Sequence, residues 1–394
     1  MSLSRRSPTV AVLGLALLVA ASVGAVGLAT ALSAADGTPP EVIETPNSTS
    51  YVAPDAANLT RQEYEEADLD VGAAMATDAE RLQGRHDELL ITDLGTESSD
   101  GVRTTVNVLE ARITTLERRH ERVLQNYSDG DISTETLLTE LARIEVAARQ
   151  YRGTIDQLGE ADLSDSLAER VAALSVEPTV LDQPVTERVV QAKTTGTESV
   201  RVYVGAADDG VVAATVIEDR YVRQATLRGE RDPFGDDQFA EDSEGRAQAA
   251  SNRASTIYSS QTDTVRGFAG THVYEFRANH SLGEVFAYLD GATTNTFHEH
   301  QHKQPVVSIP AKTSSNTAES FRLNVQYTNE TGPMAISLLG TGAGDLPPVT
   351  ISINRQEVGT IDGGEEIWTI QPMGEFTVTA TTEDGESAAV RVQS

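Results

Sequence analysis

The chain has 394 residues, and 60 acidic side chains against 30 basic ones give it a formal net charge of −30. This charge excludes nucleic acid as an expected partner, since contacts to phosphate need basic side chains. Cysteine is absent, which excludes disulfides, thiolate metal sites and a cysteine nucleophile. Carboxylates spread along the whole chain, with only three lysines, are typical of a protein that stays hydrated in concentrated salt.

The N-terminus has the pattern of a targeting segment. Residues 10–34 form an apolar segment behind Arg5 and Arg6, and this pattern predicts export. Its length approaches the roughly 20 residues that cross a bilayer, which favours an uncleaved membrane anchor. Ala29-Thr30-Ala31 also fits a cleavage site, so a signal peptide stays open. In both cases residues 1–35 place the rest of the chain outside the cytoplasm, in the cell membrane or secreted.

The next two regions differ in composition. Residues 36–70 hold four prolines and little periodicity, which predicts a disordered linker. Residues 71–177 predict a helical domain, in which the apolar residues from Val102 to Tyr127 and from Leu137 to Leu158 recur at steps of four and three. A short break over residues 129–131 separates the two runs, so the pattern predicts an antiparallel coiled-coil hairpin with possible self-association.

From about residue 183 the apolar period becomes two. Strands near 200–205, 210–217 and 221–227, a helix over 246–259 and further strands up to 304 predict an α+β domain over residues 183–305. Seven short strands and their Asp-Gly turns predict an immunoglobulin-like or transthyretin-like β-sandwich over residues 318–394. The predicted fold class is therefore multidomain α and β, with a membrane helix or signal in front.

The histidine row is the sharpest candidate for chemistry. His298, His300 and His302 alternate along a predicted strand, so their imidazoles share one face and could bind a transition metal ion. Neighbouring residues on one face lie about 7 Å apart, too far to chelate one ion easily, and an edge strand in water is the simpler interpretation. We expect no other cofactor.

Five asparagines lie in N-x-Ser/Thr sequences and are candidates for glycosylation. They are Asn47, Asn58, Asn126, Asn279 and Asn329.

Several segments resemble known families. Leu69–Ala73, Asn126–Ser133, Tyr221–Ala225 and Gly283–Gly291 resemble exported haloarchaeal proteins that consist of domains of unknown function, and the resemblance implies no activity. Residues 274–297 are similar to the strand pair of PepSY domains, which implies a link to extracytoplasmic proteases. The C-terminal region resembles immunoglobulin-like and carboxypeptidase-regulatory domains, which implies a spacer or binding module.

These features predict a non-enzymatic surface protein of a halophile, held in the membrane through residues 10–34 and binding an unknown envelope protein. Two alternatives stay open at this point. One is a PepSY-like regulator of an extracytoplasmic protease or sensor, and the other is a metal-binding protein that uses the histidine row.

Overall fold

A computed structural model describes residues 40–45, 49–93, 99–196, 199–239, 243–258, 262–304, 306–309, 311–342 and 346–393. The predicted anchor or signal lies outside these residues. Within them, no helix combines the length and the apolarity that a membrane crossing needs. The described residues all belong to one compact unit.

An eight-stranded antiparallel sheet lies at the centre of this unit. Two short strands precede it, β1 (Glu41–Ile43) and β2 (Tyr51–Ala53). The order of strands in the sheet is β3-β4-β5-β6-β10-β9-β8-β7. Their bounds are Leu59–Ala67 (β3), Val200–Ala207 (β4), Gly210–Ile217 (β5), Arg220–Leu227 (β6), Thr262–Gly267 (β7), Val273–His280 (β8), Gly283–Asp290 (β9) and Thr296–Lys303 (β10).

Helices dominate the N-terminal half of the described chain. They are α1 (Val71–Asp93), α2 (Ser99–Ser128), α3 (Thr134–Gly159), α4 (Asp165–Leu174), α5 (Val176–Val180), α6 (Pro184–Thr195) and, later, α7 (Ser243–Ile257). The two heptad runs are confirmed as α2 and α3. Ser133 caps α3, because its hydroxyl accepts a hydrogen bond from the Thr136 amide at 3.1 Å.

The helical hairpin packs against the rest of the protein, since α2, α3 and α6 cover one face of the sheet. Their apolar residues join Val202, Val204 and Val211 of the sheet in one buried cluster. This packing gives the helices a second apolar contact besides the seam between α2 and α3, and such burial is what stabilises most helices in proteins.

The opposite face of the sheet is covered by a β-sandwich and by α7. The sandwich has two four-stranded sheets, in the orders β11-β12-β13-β16 and β15-β14-β17-β18. Their bounds are Lys312–Thr317 (β11), Phe321–Tyr327 (β12), Pro333–Gly340 (β13), Val349–Ile353 (β14), Gln356–Ile361 (β15), Glu366–Ile370 (β16), Phe376–Thr382 (β17) and Ser387–Val392 (β18). The seven predicted strands are all present, and β11 is an additional one. Tyr64, Tyr203 and Tyr221 of the large sheet belong to the same buried cluster as the sandwich core.

The predicted linker over residues 36–70 is corrected by the structure. Its last part is β3, which pairs with β4 from Leu59–Ala207 to Ala67–Val200. Tyr51, Val52 and Ala53 are buried, and Val52 belongs to the apolar cluster that α7 forms with the large sheet. The four prolines and the weak periodicity concealed these short strands, because tertiary contacts rather than local pattern hold them.

The strand period expected from residue 183 is also wrong at its start, because α6 occupies residues 184–195. Pro184 lies at the first helical position, and Gly196 ends the helix with φ of 61°. The side-chain oxygen of Gln224 accepts hydrogen bonds from the Val185 and Thr186 amides at 3.1 and 3.2 Å. A partner from the sheet thus caps a helix whose start carries no capping side chain of its own.

Replacing Gly283 by alanine should destabilise the protein by about 1–3 kcal/mol, as overpacking of a close-packed site does. A Cβ atom there would lie 1.9 Å from the carbonyl oxygen of His302, so β9 and β10 would have to separate. Gly364→Ala is the matched control, because a Cβ there meets nothing within 4 Å. Denaturant midpoints of the two variants check the difference, and equal midpoints would contradict it.

Candidate functional site

A cleft of about 440 Å³ opens between the helices and the large sheet. It is bounded by α2, by α5 and the residue after it, by the end of β6 with the following turn, and by the start of β10. Its apolar lining consists of Leu124, Val180, Leu181, Leu227 and Phe297. Its charged lining consists of Glu117, Arg118, Glu121, Arg122, Glu177, Arg228 and Arg231. The volume falls within the range of small-molecule sites.

Arg231 lies between two carboxylates in this cleft. It is 3.3 Å from Glu117 and in direct contact with Glu177, and its guanidinium lies over the ring of Phe297 at 5.2 Å. Burial and the neighbouring Glu177 raise the pKa of Glu117 to about 7, against the opposing effect of Arg231. The single Arg231 charge is thus shared between two carboxylates in the inner part of the cleft.

His120 and Thr226 form the polar part of the inner wall. Burial lowers the pKa of His120 to about 4, so this imidazole is neutral at physiological pH. The Thr226 hydroxyl lies 3.1 Å from Nδ1 of His298, which is fully buried on the adjacent strand. Neutral hydrogen-bonding groups thus line a cavity with mainly apolar walls.

Arginines line the outer part of the cleft. Arg228 is occupied, since it donates to the Ala207 and Asp208 carbonyl oxygens and to the side chain of Gln125. Arg118 and Arg122 lie one helical turn apart on α2 and are both exposed. Neither forms a hydrogen bond or an ion pair within the part of the chain that the structure describes. They are the two cationic groups that a bound molecule could engage.

The histidine row lies inside the protein rather than on an edge strand. β10 is the fifth strand of the sheet, between β6 and β9, and both of its faces are covered. The rings follow one another at 6.4 and 5.9 Å between centroids, and His300 stacks on Phe286 at 4.6 Å. Burial lowers the pKa of His298 well below its ordinary value and that of His300 to about 3.

This row does not converge on a metal ion. No group of three His, Cys, Asp or Glu side chains in the described ranges is arranged to hold one. The predicted edge strand is wrong, because no local pattern in β10 indicates which strands flank it. Apolar alternation is missing from this strand, yet all of its residues except His302 are buried.

The other face of β10 carries a buried charge network. Arg223 and Glu299 form an ion pair at 3.0 Å, and both side chains are 0% exposed. The Glu299 carboxylate also accepts hydrogen bonds from the Val52 amide at 2.9 Å, from the Tyr258 hydroxyl at 2.8 Å and from the Gln301 amide at 3.1 Å. Burial nevertheless raises its pKa.

Arg223 extends this network into neighbouring layers. Its Nε donates to the Thr331 hydroxyl of the sandwich at 2.9 Å, and a terminal nitrogen donates to the Val52 carbonyl at 2.7 Å. The Tyr221 hydroxyl donates to the carbonyl oxygen of Thr331 at 2.9 Å. The network therefore ties β2, the large sheet and the sandwich together.

The candidate glycosylation sites differ in accessibility. Asn58 and Asn279 have exposed side chains, and Asn126 and Asn329 are half-buried. The Asn329 side chain donates to the Glu44 carbonyl at 2.6 Å. Asn47 lies outside the described residues.

Three regions of the chain match family models. Residues 6–199 match the model of a domain of unknown function (DUF7096), and residues 202–310 match a family of unknown function (DUF7094). Residues 312–389 match an archaeal fibronectin-III type-like domain. The chain is thus similar to archaeal proteins of unknown function that end in an immunoglobulin-like domain. The first match includes β3 and α6, which agrees with their packing on the helical layer.

No curated protein matches the chain. Among solved structures, a gamma-CGTase from alkalophilic Bacillus clarkii aligns at 12% identity with a TM-score of 0.14. The alignment covers 58% of this chain and 29% of that enzyme's chain. At this TM-score the likeness carries no information about fold or activity.

Proposed function

We propose that the chain is a non-catalytic interaction module of an archaeal cell surface, tethered or secreted, and adapted to concentrated salt. The match of its C-terminal region to a fibronectin-III type-like domain supports this function. The acidic, lysine-poor composition supports the concentrated salt. The apolar segment at residues 10–34 supports the location outside the cytoplasm.

The observation that carries the proposal is an exposed apolar stripe on α1. Val71, Met75 and Leu82 are 67%, 69% and 69% exposed. Together with Asp78 they follow steps of four, three and four residues, so all four lie on one side of the helix. Large apolar side chains grouped on a soluble surface are typical of interaction sites.

A groove of about 450 Å³ lies beside this stripe, between α1, α3 and α6. Its lining includes Leu82 together with charges of both signs, such as Asp78 and Arg81, which pair at 2.8 Å. A heptad stripe flanked by mixed charges suits pairing with the same helix of a second copy, since a two-fold interface brings one surface against itself. The partner in this proposal is therefore a second copy of the chain.

Sedimentation of the full-length protein over a concentration series tests the proposal. We expect the wild type to form dimers and the Met75→Glu/Leu82→Glu variant to stay monomeric, because four carboxylates would face one another across the interface. Phe234→Glu/Leu339→Glu is the matched control, since both positions are exposed and the charge change is the same. A wild type that stays monomeric, or dimers that survive in the α1 variant, would remove the stripe as the interface.

A further inference from the structure

We infer that the cleft between α2, α5 and the large sheet binds a small organic anion, a carboxylate with an apolar body. This inference is independent of self-association through α1. It names a ligand class for a site whose walls include the five apolar residues, the four arginines and the three glutamates already described.

Charge complementarity favours an anion. Acidic residues outnumber basic ones 60 to 30 in the chain, yet the cleft is lined by four arginines and three glutamates. Glu117 and Glu177 already share Arg231, and the remaining lining carboxylate, that of the exposed Glu121, is outnumbered on α2 by Arg118 and Arg122. The unused charges are those of Arg118 and Arg122 at the mouth, and planar guanidinium groups bind carboxylates particularly well.

The walls favour an apolar body behind the charged group. Leu124, Leu181 and Leu227 are 3–4% exposed, so their packing is fixed before any ligand arrives. Thr226 and His120 offer neutral hydrogen-bonding groups deeper in the cleft. A ligand whose carboxylate contacts the arginines and whose remaining atoms are buried would remove apolar surface from water. Few side chains would have to become ordered when it binds, which keeps the entropic cost of binding low.

Equilibrium dialysis of the full-length protein against three matched probes tests the inference. The probes are 4-phenylbutyrate, 4-phenylbutylamine and 4-phenylbutanol, which share the apolar body and differ in charge. We expect the acid to bind at least about tenfold more tightly than the alcohol, and the amine to bind most weakly. The preference should shrink as the salt concentration is raised, because screening within about 3 Å at 1 M weakens the attraction between charges that are not in contact.

Two charge-reversal variants locate the binding. Arg118→Glu/Arg122→Glu should lose binding of the acid and gain binding of the amine, and both positions are exposed, so the fold should be retained. Arg103→Glu/Arg391→Glu carries the same charge change on exposed residues away from the cleft and should bind like the wild type. Absence of binding by the acid, a wild-type preference for the amine, or equal binding by both variants would overturn the inference.

Discussion

Replacing Arg223 by methionine should lower the free energy of unfolding by about 3–5 kcal/mol, the usual cost of removing one partner from a buried ion pair. Methionine replaces the aliphatic part of the arginine side chain and carries no charge, so the Glu299 carboxylate would stay in the protein interior without its counter-ion. The Thr331 hydroxyl and the Val52 carbonyl would also lose a donor. Chemical denaturation at constant salt measures the change.

The double variant Arg223→Met/Glu299→Gln separates the charge from the packing. It should recover part of the lost stability, because no unpaired charge remains. The matched control is Arg391→Met, which breaks an exposed pair whose side chains are 66% and 51% accessible, and which should cost less than about 1 kcal/mol. If Glu299→Gln alone is as stable as the wild type, the carboxyl is protonated in the folded protein, and the predicted cost of Arg223→Met is wrong.

Arg223 of this ion pair also connects the large sheet to the sandwich. Thr331 accepts from Arg223 through its side chain and from Tyr221 through its carbonyl oxygen, and it has φ of 59°, which a β-turn position can impose. In Arg223→Met we therefore expect faster hydrogen exchange at the sandwich residues next to Thr331 than at the helices. A uniform increase would indicate global loss of stability without loosening between the layers.

The parts of the fold that follow from local pattern were predictable, and the contacts between layers were not. The heptads of α2 and α3 and the alternation of β12 to β18 predict those elements correctly, since each element buries one face at its own period. Local pattern does not predict β3 and α6, because β3 is stabilised by pairing with β4 and α6 by the hydrogen bonds to Gln224. Both of these partners are distant in sequence.

The cleft was even less visible in the sequence. Glu117 and Arg118 lie between the apolar heptad positions of α2, a pattern that predicts a solvated helix face, and Arg118 is exposed. Glu117 instead meets Arg231, more than a hundred residues away. The one local signal was His120, a histidine at an apolar seam position of α2. A buried neutral imidazole depends on the residues around it, and apolar periodicity along one helix does not predict those residues.

Acid should destabilise the protein through its buried histidines. In the wild type we expect His300 to lower the free energy of unfolding by about 2 kcal/mol between pH 7.5 and pH 5, and His300→Phe should not show this loss. Burial lowers the pKa of His300 to about 3 in the folded protein, whereas an unfolded histidine titrates near 6.5. At pH 5 the unfolded state therefore binds the proton and the folded state does not, so stability falls as pH falls from about 6.5 towards the folded value.

Phenylalanine suits this position because the ring of His300 already stacks on Phe286, and its Nδ1 has no hydrogen-bond partner in the described structure. Burial raises the pKa of Glu145 to about 9, which gives a slope of the opposite sign over the same pH range, so the wild-type profile alone cannot isolate the histidine. The difference between wild type and His300→Phe isolates it. If the two profiles run parallel from pH 7.5 to pH 5, water or a proton reaches His300 in the folded state, and the sheet is more open at β10 than its packing indicates.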